Sequence, residues 1–140
     1  MANYYNYTNG LGNVGSYQIS GIPYATASFT VAAAGSTPTE VSFPYVTKFV
    51  TITNTNTGAN VPLRFGFSSL GVTGSAAGGS NYYFNLDNGE SYTGEFRITR
   101  MYLLSDTAGT QTSASIVAGL TGIEVKQLQA NWSGSVGVGS

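Results

Sequence analysis

The sequence predicts an all-β protein, an antiparallel β-sandwich that is expected to be jelly-roll-like. Seven or eight short runs rich in β-branched and aromatic residues follow one another at fairly regular spacing. Clusters of Gly, Asn, Ser and Asp separate these runs, as turns do between antiparallel strands. No amphipathic stretch of about ten residues lies between the runs, so a parallel α/β architecture is excluded. Short strands joined by turns are typical of sandwiches and jelly rolls.

The first half of the predicted core holds four strands. In the fourth, Leu63, Phe65 and Phe67 alternate with polar or small residues and face inward. In the third, Lys48 falls on the apolar side, which predicts an edge position or a long stem that carries the amine to solvent. The four predicted strands are Ser28–Ala33, Glu40–Pro44, Val46–Thr53 and Leu63–Ser68.

The middle of the chain predicts a loop, a strand and a tight turn. Gly71–Ser80 is rich in Gly, Ser and Ala and is expected to be a loop. Asn81–Leu86 then alternates, with Tyr82, Phe84 and Leu86 on one face. Asp87-Asn88-Gly89 follows, and Asn-Gly predicts a β-hairpin closed by a type I′ turn.

The last part of the predicted core holds its longest strand, Tyr92–Ser105. Arg100 interrupts the apolar face of this run, which predicts a bulge or a crossing at a sheet edge there. Thr112–Leu120 alternates regularly and closes the core.

The chain divides into an arm, one domain and a tail. Residues 1–25 are dominated by Asn, Tyr and Gly without a helical or strand period, and we interpret them as an extended N-terminal arm. Residues 26–122 form the β-sandwich domain, and residues 123–140 form a Gly/Ser-rich C-terminal tail. Five tyrosines of the arm are the predicted partner-binding residues, because tyrosine gives a large contact area at small entropic cost. They either dock on another chain or fold back on their own sandwich: Tyr4, Tyr5, Tyr7, Tyr17 and Tyr24.

Composition excludes several classes of function. The absence of His and Cys excludes disulfides, thiolate nucleophiles, histidine bases and Cys/His metal centres. Charged residues make up only 8% of the chain and the net charge is −1, so no basic patch for nucleic acid is expected. A surface with so little charge hardly repels other copies, which favours a protein that works in contact with other protein. No secretory signal and no membrane-spanning segment is expected.

Apparent chemical motifs favour structural explanations. Gly10-Leu11-Gly12-Asn13-Val14-Gly15 matches G-x-G-x-x-G, but it lacks the preceding strand and following helix of a dinucleotide site. The acids Asp87, Glu90 and Glu95 are explained by turn chemistry, with a structural cation near Asp87 and Glu90 left open. We therefore expect no catalytic residues, no metal ligands and no cofactor.

Two segments resemble small virion structural proteins of tailed bacteriophages. Residues 48–71 carry T-I-T-N and L-R-F-G-F-S, and residues 81–123 carry N-Y-Y-F, G-E-S-Y, R-I-T-R-M-Y-L-L-S and A-G-L-T-G-I. The resemblance implies a capsid decoration, cement or head-fibre protein, often trimeric, bound to the capsid exterior with arms that clasp neighbours.

Sequence and resemblance together predict a non-enzymatic virion protein, most simply a capsid decoration protein. Its expected partners are copies of itself, as a homo-oligomer expected to be a trimer, and the major capsid or another virion protein. Its expected location is the outside of the capsid, after assembly in the host cytoplasm, with neither nucleic acid nor membrane as a partner. Two alternatives stay open: a carbohydrate-binding or adhesin-type sandwich, and a fibre subunit that polymerises by strand donation.

Overall fold

The computed structural model describes residues 21–74 and 81–127, and these residues confirm the all-β prediction. They form eight strands, one short α-helix and a 3-10 helix. The helix α1 spans Ser69–Thr73, and the 3-10 helix spans Val125–Gln127. The strands are β1 (Ile22–Val31), β2 (Thr39–Ser42), β3 (Tyr45–Asn54), β4 (Leu63–Gly66), β5 (Phe84–Leu86), β6 (Ser91–Gly94), β7 (Arg100–Ser105) and β8 (Thr112–Glu124).

The eight strands make two four-stranded antiparallel sheets. The first sheet has the order β1-β8-β3-β6, and the second has the order β2-β7-β4-β5. Strand pairs are nested along the chain, since β1 pairs with β8, β2 with β7, β3 with β6 and β4 with β5. Among the described strands, only β4 and β5 are consecutive within one sheet, and every other connection changes sheets.

One apolar core lies between the sheets, and alternation in each strand supplies it. Inward positions of both sheets are buried because side chains two residues apart share a face. The first sheet contributes Val31, Val50, Ile52, Ala114, Ile116, Ala118 and Leu120, and the second contributes Val41, Leu63, Phe65, Leu86, Met101 and Leu103. The inward faces of Leu63–Phe65 and of Thr112–Leu120 therefore agree with the sequence prediction.

The helix α1 replaces part of the predicted loop Gly71–Ser80. Ser68 caps it, since its hydroxyl accepts the Gly71 N–H at 3.0 Å, and Gly74 ends it in the left-handed conformation. Val72 packs on Tyr102 and Leu104 from the outer side of β7. β7 is consequently buried on both faces, against the core on one side and the helix on the other.

The predicted strand Tyr92–Ser105 is wrong as a single element, because it is divided between the two sheets. β6 ends at Gly94 and β7 begins at Arg100, so the chain crosses from the first sheet to the second just before Arg100. The buried hydroxyl of Thr47 holds the crossing segment, donating to the Phe96 carbonyl and accepting the Ile98 N–H at 3.1 Å. The crossing predicted at Arg100 is thereby confirmed. The sequence did not indicate how many residues separate the two strands, because the β-propensity is continuous through residues 95–99.

The turn Asp87-Asn88-Gly89 also differs from the prediction. Gly89 has a φ of 78°, but no non-glycine residue of the described segments has a positive φ, so Asn88 cannot adopt the type I′ geometry. The Glu90 N–H donates to the Asp87 carbonyl at 2.9 Å, and a positive φ at the third residue alone is typical of a type II turn. The flanking strands β5 and β6 lie in different sheets, so the turn connects the sheets and does not close a hairpin.

The structured region extends beyond the predicted boundaries of the sandwich. β1 begins at Ile22, inside the segment assigned to the arm, and β8 continues to Glu124, inside the segment assigned to the tail. Ile123 is fully buried. Lys48 lies in the register shift of β3 between Thr47 and Phe49, outside Val50–Thr53, the part of β3 that pairs with β6. Its amine reaches Glu95 at 3.3 Å. An edge position and a long stem both agree with this placement.

Asn54 is a fully buried polar residue at the end of β3, and its amide joins four parts of the fold. Its Nδ2 donates to the carbonyls of Val61 and Leu86 at 3.0 and 2.9 Å. Its Oδ1 accepts the Asn56 N–H at 3.0 Å and the Thr112 hydroxyl at 3.3 Å. Both N–H donors and the oxygen of the amide are hydrogen-bonded, which is the condition under which a buried polar group stabilises a fold.

We expect Asn54→Ala to lower the free energy of unfolding by about 2–4 kcal/mol, because it leaves buried polar groups without partners. Urea denaturation measures the change. Asn60→Ala is the control, since Asn60 is exposed and bonds only at the surface of the same turn region, with an expected change of about 1 kcal/mol or less. Equal losses in the two variants would contradict the role assigned to Asn54.

Candidate interaction surface

Most of the partner-binding residues predicted from the sequence lie outside the described residues. Tyr4, Tyr5, Tyr7 and Tyr17 belong to this group, as does the glycine motif at residues 10–15. Tyr24 lies in β1, where its ring packs edge-on against Phe43 with centroids 5.1 Å apart. Tyr24 thus contacts a ring of its own sandwich, and its role in partner binding stays a prediction.

The carboxylates near Asp87 take part in the turn that contains them. Glu90 Oε2 accepts the Asp87 N–H at 2.8 Å, and Asp87 Oδ1 accepts an N–H of the Asn60 amide at 3.1 Å. Glu95 pairs with Lys48 instead. In the part of the chain that the structure describes, no group of three or more His, Cys, Asp or Glu residues could hold a metal ion.

Ion pairs stabilise the second sheet and its helix. Arg64 contacts Asp106 at 2.6 Å, donates to the carbonyls of Val72 and Thr73 at 3.2 Å, and lies over the Tyr83 ring at 4.4 Å. Arg64 thus attaches the end of α1 to β4. Arg100 lies 3.9 Å from Glu40. A hydrogen bond with Tyr102 raises the pKa of Arg100 above its ordinary value, and burial opposes this only in part.

Neither helix within residues 21–74 and 81–127 has the length and apolar character needed to cross a lipid bilayer.

Aromatic rings fill the opening between the two sheets on the flank formed by β5 and β6. We call this group the aromatic seam: Phe65, Phe67, Phe84, Tyr92 and Phe96. Phe65, Phe84 and Tyr92 form a triangle with centroids 5.5–5.7 Å apart, and Phe96 extends it towards Phe67. The spacings are those of favourable ring contacts, so the seam holds its own shape.

The seam is displayed to solvent. Phe84 is 56% exposed and Tyr92 is 37% exposed, although both rings contact the buried Phe65. Among the described strands, β5 pairs only with β4 and β6 only with β3, so each presents an unpaired edge on this flank. Exposed apolar rings beside unpaired strand edges are features of contact surfaces for other protein chains.

A groove of about 320 Å³ adjoins the seam. Its lining combines the rings of Phe65, Phe67 and Phe84 with residues 81–83. Gly66 lies in the lining, and a Cβ there would meet the Tyr82 carbonyl and Val72 at 2.7 Å, so only glycine lets these segments approach. Tyr82 is 54% exposed at the groove.

The sequence prediction placed Tyr82, Phe84 and Leu86 together on one face. Phe84 and Leu86 do share a face of β5, opposite Phe65 and Leu63, but only Leu86 is buried. β5 is short and lies at a sheet edge, so its alternation does not distinguish a side chain inside the core from one at the open flank. The seam was not predicted, because its members come from β4, β5, β6 and the crossing segment, and their proximity depends on the sheet topology.

We expect Phe84→Ala to lower the free energy of unfolding by about 1 kcal/mol, because the ring is half exposed. Phe65→Ala is the matched control, because Phe65 is the buried partner in the same ring contact. This substitution should lower the free energy of unfolding by about 3–5 kcal/mol. Urea denaturation of both variants measures the difference. If Phe84→Ala were as costly as Phe65→Ala, Phe84 would be a core residue and the seam would not be a displayed surface.

Comparison of the chain with protein-family profiles, curated proteins and solved structures gave no match. A fold can host unrelated functions, so a functional statement for this chain depends on the chemistry of its own surfaces.

Proposed function

We propose that this chain is a non-enzymatic structural subunit of a virion, of the capsid decoration type, which binds neighbouring protein subunits. The observation that carries the proposal is the aromatic seam, which is exposed beside the unpaired edges of β5 and β6. Aromatic side chains held rigidly at a surface supply much of the binding energy of protein interfaces. The N-terminal segment, with its uncharged tyrosine-rich sequence, adds a second contact.

The strand order supports a jelly-roll arrangement for this sandwich. The nested strand pairs, from β1 with β8 to β4 with β5, form a ribbon that is folded into two four-stranded sheets. This topology is expected of an eight-stranded jelly roll. Viral capsid domains and lectins are among the proteins built in this way. The topology is therefore compatible with the virion proposal and with its main alternative.

The distribution of charge supports contact with protein. All five basic and six acidic residues lie between Glu40 and Lys126, and residues 1–20 carry none. Every basic residue except Arg97 has an acidic partner within 4 Å in a described ion pair, and Arg97 has an interaction of its own. Such a surface carries little unpaired charge, so it meets another protein with little like-charge repulsion.

Binding to purified phage particles tests the proposal. We expect the full chain to co-sediment with particles of the phage that encodes it, and the double variant Tyr82→Ser/Phe84→Ser to lose at least tenfold in affinity. Deletion of residues 2–20, which leaves β1 intact, should weaken binding as well. Leu70→Ser is the matched control, because Leu70 is 58% exposed on α1 and lies outside the seam.

Absence of the chain from purified particles, together with no binding by the full chain, would exclude the virion proposal. Full occupancy by the double variant would exclude the seam as the contact surface. Full occupancy by the deletion variant would exclude the N-terminal segment.

A carbohydrate-binding sandwich is the second candidate, and the groove beside the seam favours it. Tyrosine and phenylalanine rings with an adjacent amide, here that of Asn81, are groups that can stack on a sugar ring and bond its hydroxyls. A glycan array distinguishes the candidates. Saturable binding that is lost in Tyr82→Ala would favour the carbohydrate function, and no binding to any glycan is expected of a decoration protein.

A further inference from the structure

The outer side of the first sheet is a continuous surface of uncharged and mostly small residues, which we call the hydroxyl face. Its members follow from the strand register, since Ala25, Val117, Thr51 and Thr93 lie side by side across the four strands. Along each strand, the residues of this face alternate with the buried residues that face the core. The hydroxyl face consists of Pro23, Ala25, Thr30, Phe49, Thr51, Thr53, Thr55, Ser91, Thr93, Ser113, Ser115, Val117 and Gly119.

Apart from Thr30, the hydroxyl groups of this face are bonded to one another or to backbone across the strands. Thr51 pairs with Thr93 at 2.8 Å, and Thr53 pairs with Ser91 at 2.7 Å. Thr55 donates to Ser113 at 3.2 Å, and Ser115 accepts the Ser28 N–H at 2.9 Å. Covering such a face costs less than covering free hydroxyls, because the polar groups keep their partners when water leaves.

The middle of the face is apolar and exposed. Val117 is 50% exposed, and its cross-strand neighbours are Ala25 and Thr51. Phe49 lies in the next row, opposite Gly119. None of the thirteen members defined above carries a charge.

The outer side of the second sheet is different. There α1 packs on Tyr102 and Leu104, and the ion pairs of Arg64 with Asp106 and of Arg100 with Glu40 lie along its strands. One side of the sandwich is therefore covered by its own helix and charges, whereas the described residues leave the other side uncovered.

We propose that the hydroxyl face is a self-association surface, on which a second copy of this chain packs face to face about a two-fold axis near Val117. Self-pairing fits the face because an uncharged, small-residue surface meets its own copy without repulsion or buried unpaired charge. Eight paired residues on each of β1, β8 and β3 and four on β6, at about 3.3 Å per residue and 4.8 Å per strand, give roughly 440 Å² per copy. The total of about 900 Å² is the size of a weak, reversible interface. The inference deepens the proposed function, since it names the surface that joins copies of the subunit.

The mass of the full chain in solution tests this pairing. By sedimentation velocity over a concentration series, we expect a reversible change from one to two chains. Val117→Lys should raise the dissociation constant at least tenfold, because it brings two lysines together at the centre of the interface. Leu70→Lys, at an equally exposed apolar position on α1, should leave the dissociation constant unchanged. Thermal unfolding of each variant checks that the monomer is still folded.

Crosslinking gives a second measurement that does not depend on affinity. The chain contains no cysteine, so Val117→Cys introduces a single thiol at the centre of the face. A short bis-maleimide spans the distance of about 10 Å between packed sheets, and we expect several-fold more crosslinked dimer for Val117→Cys than for Leu70→Cys. Both measurements use the chain alone, so they are independent of whether it binds phage particles.

Three results would overturn the pairing: a wild-type chain that stays monomeric at all concentrations, a trimer, or a dimer that Val117→Lys leaves intact. Equal crosslinking of the two cysteine variants would overturn it too. A thiol in Val117→Cys that resists maleimide in the monomer would show that another segment of the same chain covers the face, and that result also excludes the pairing.

Discussion

The fold depends on the hydrogen bonds of one buried amide. Asn54 closes β3 and bonds the carbonyls of Val61 and Leu86, so it holds a loop and the end of β5 against the first sheet. Its backbone also pairs with the turn that leads to β6, through the Glu90 carbonyl and the Gly89 N–H. A polar residue at this point aligns both sheets at one end, since any other packing would leave buried groups unpaired.

Local alternation predicted the parts of the fold that need only a period of two. Leu63 and Phe65, and the inward positions of Thr112–Leu120, were assigned correctly because one buried face dictates their pattern. Two predictions failed where the chain changes sheets. Tyr92–Ser105 keeps its β-propensity through the crossing, and Asp87–Gly89 has the residues of a hairpin turn although it joins two sheets. Turn chemistry specifies local dihedral angles, whereas the sheet that receives the next strand is decided by long-range pairing.

The candidate surfaces were harder to predict than the strands. Composition indicated a protein with little charge, and this property reappears in both the seam and the hydroxyl face. It could not indicate where either surface lies, because each is assembled from strands distant in sequence. Alternation along Thr112–Leu120 already places Val117 on the outer side of β8, but only the strand register shows that it lies between Ala25 and Thr51. The tyrosines of residues 1–20 were chosen on composition alone, and they stay a prediction.

The pairing of β1 with β8 brings the two ends of the described fold to one pole of the molecule. Gly21 donates to the Leu120 carbonyl at 3.2 Å, and the 3-10 helix follows directly after Glu124. A polypeptide joined at Gly21 or after Gln127 would thus emerge beside the other end of the described fold. A circular permutation that joins these two positions would need only a short linker.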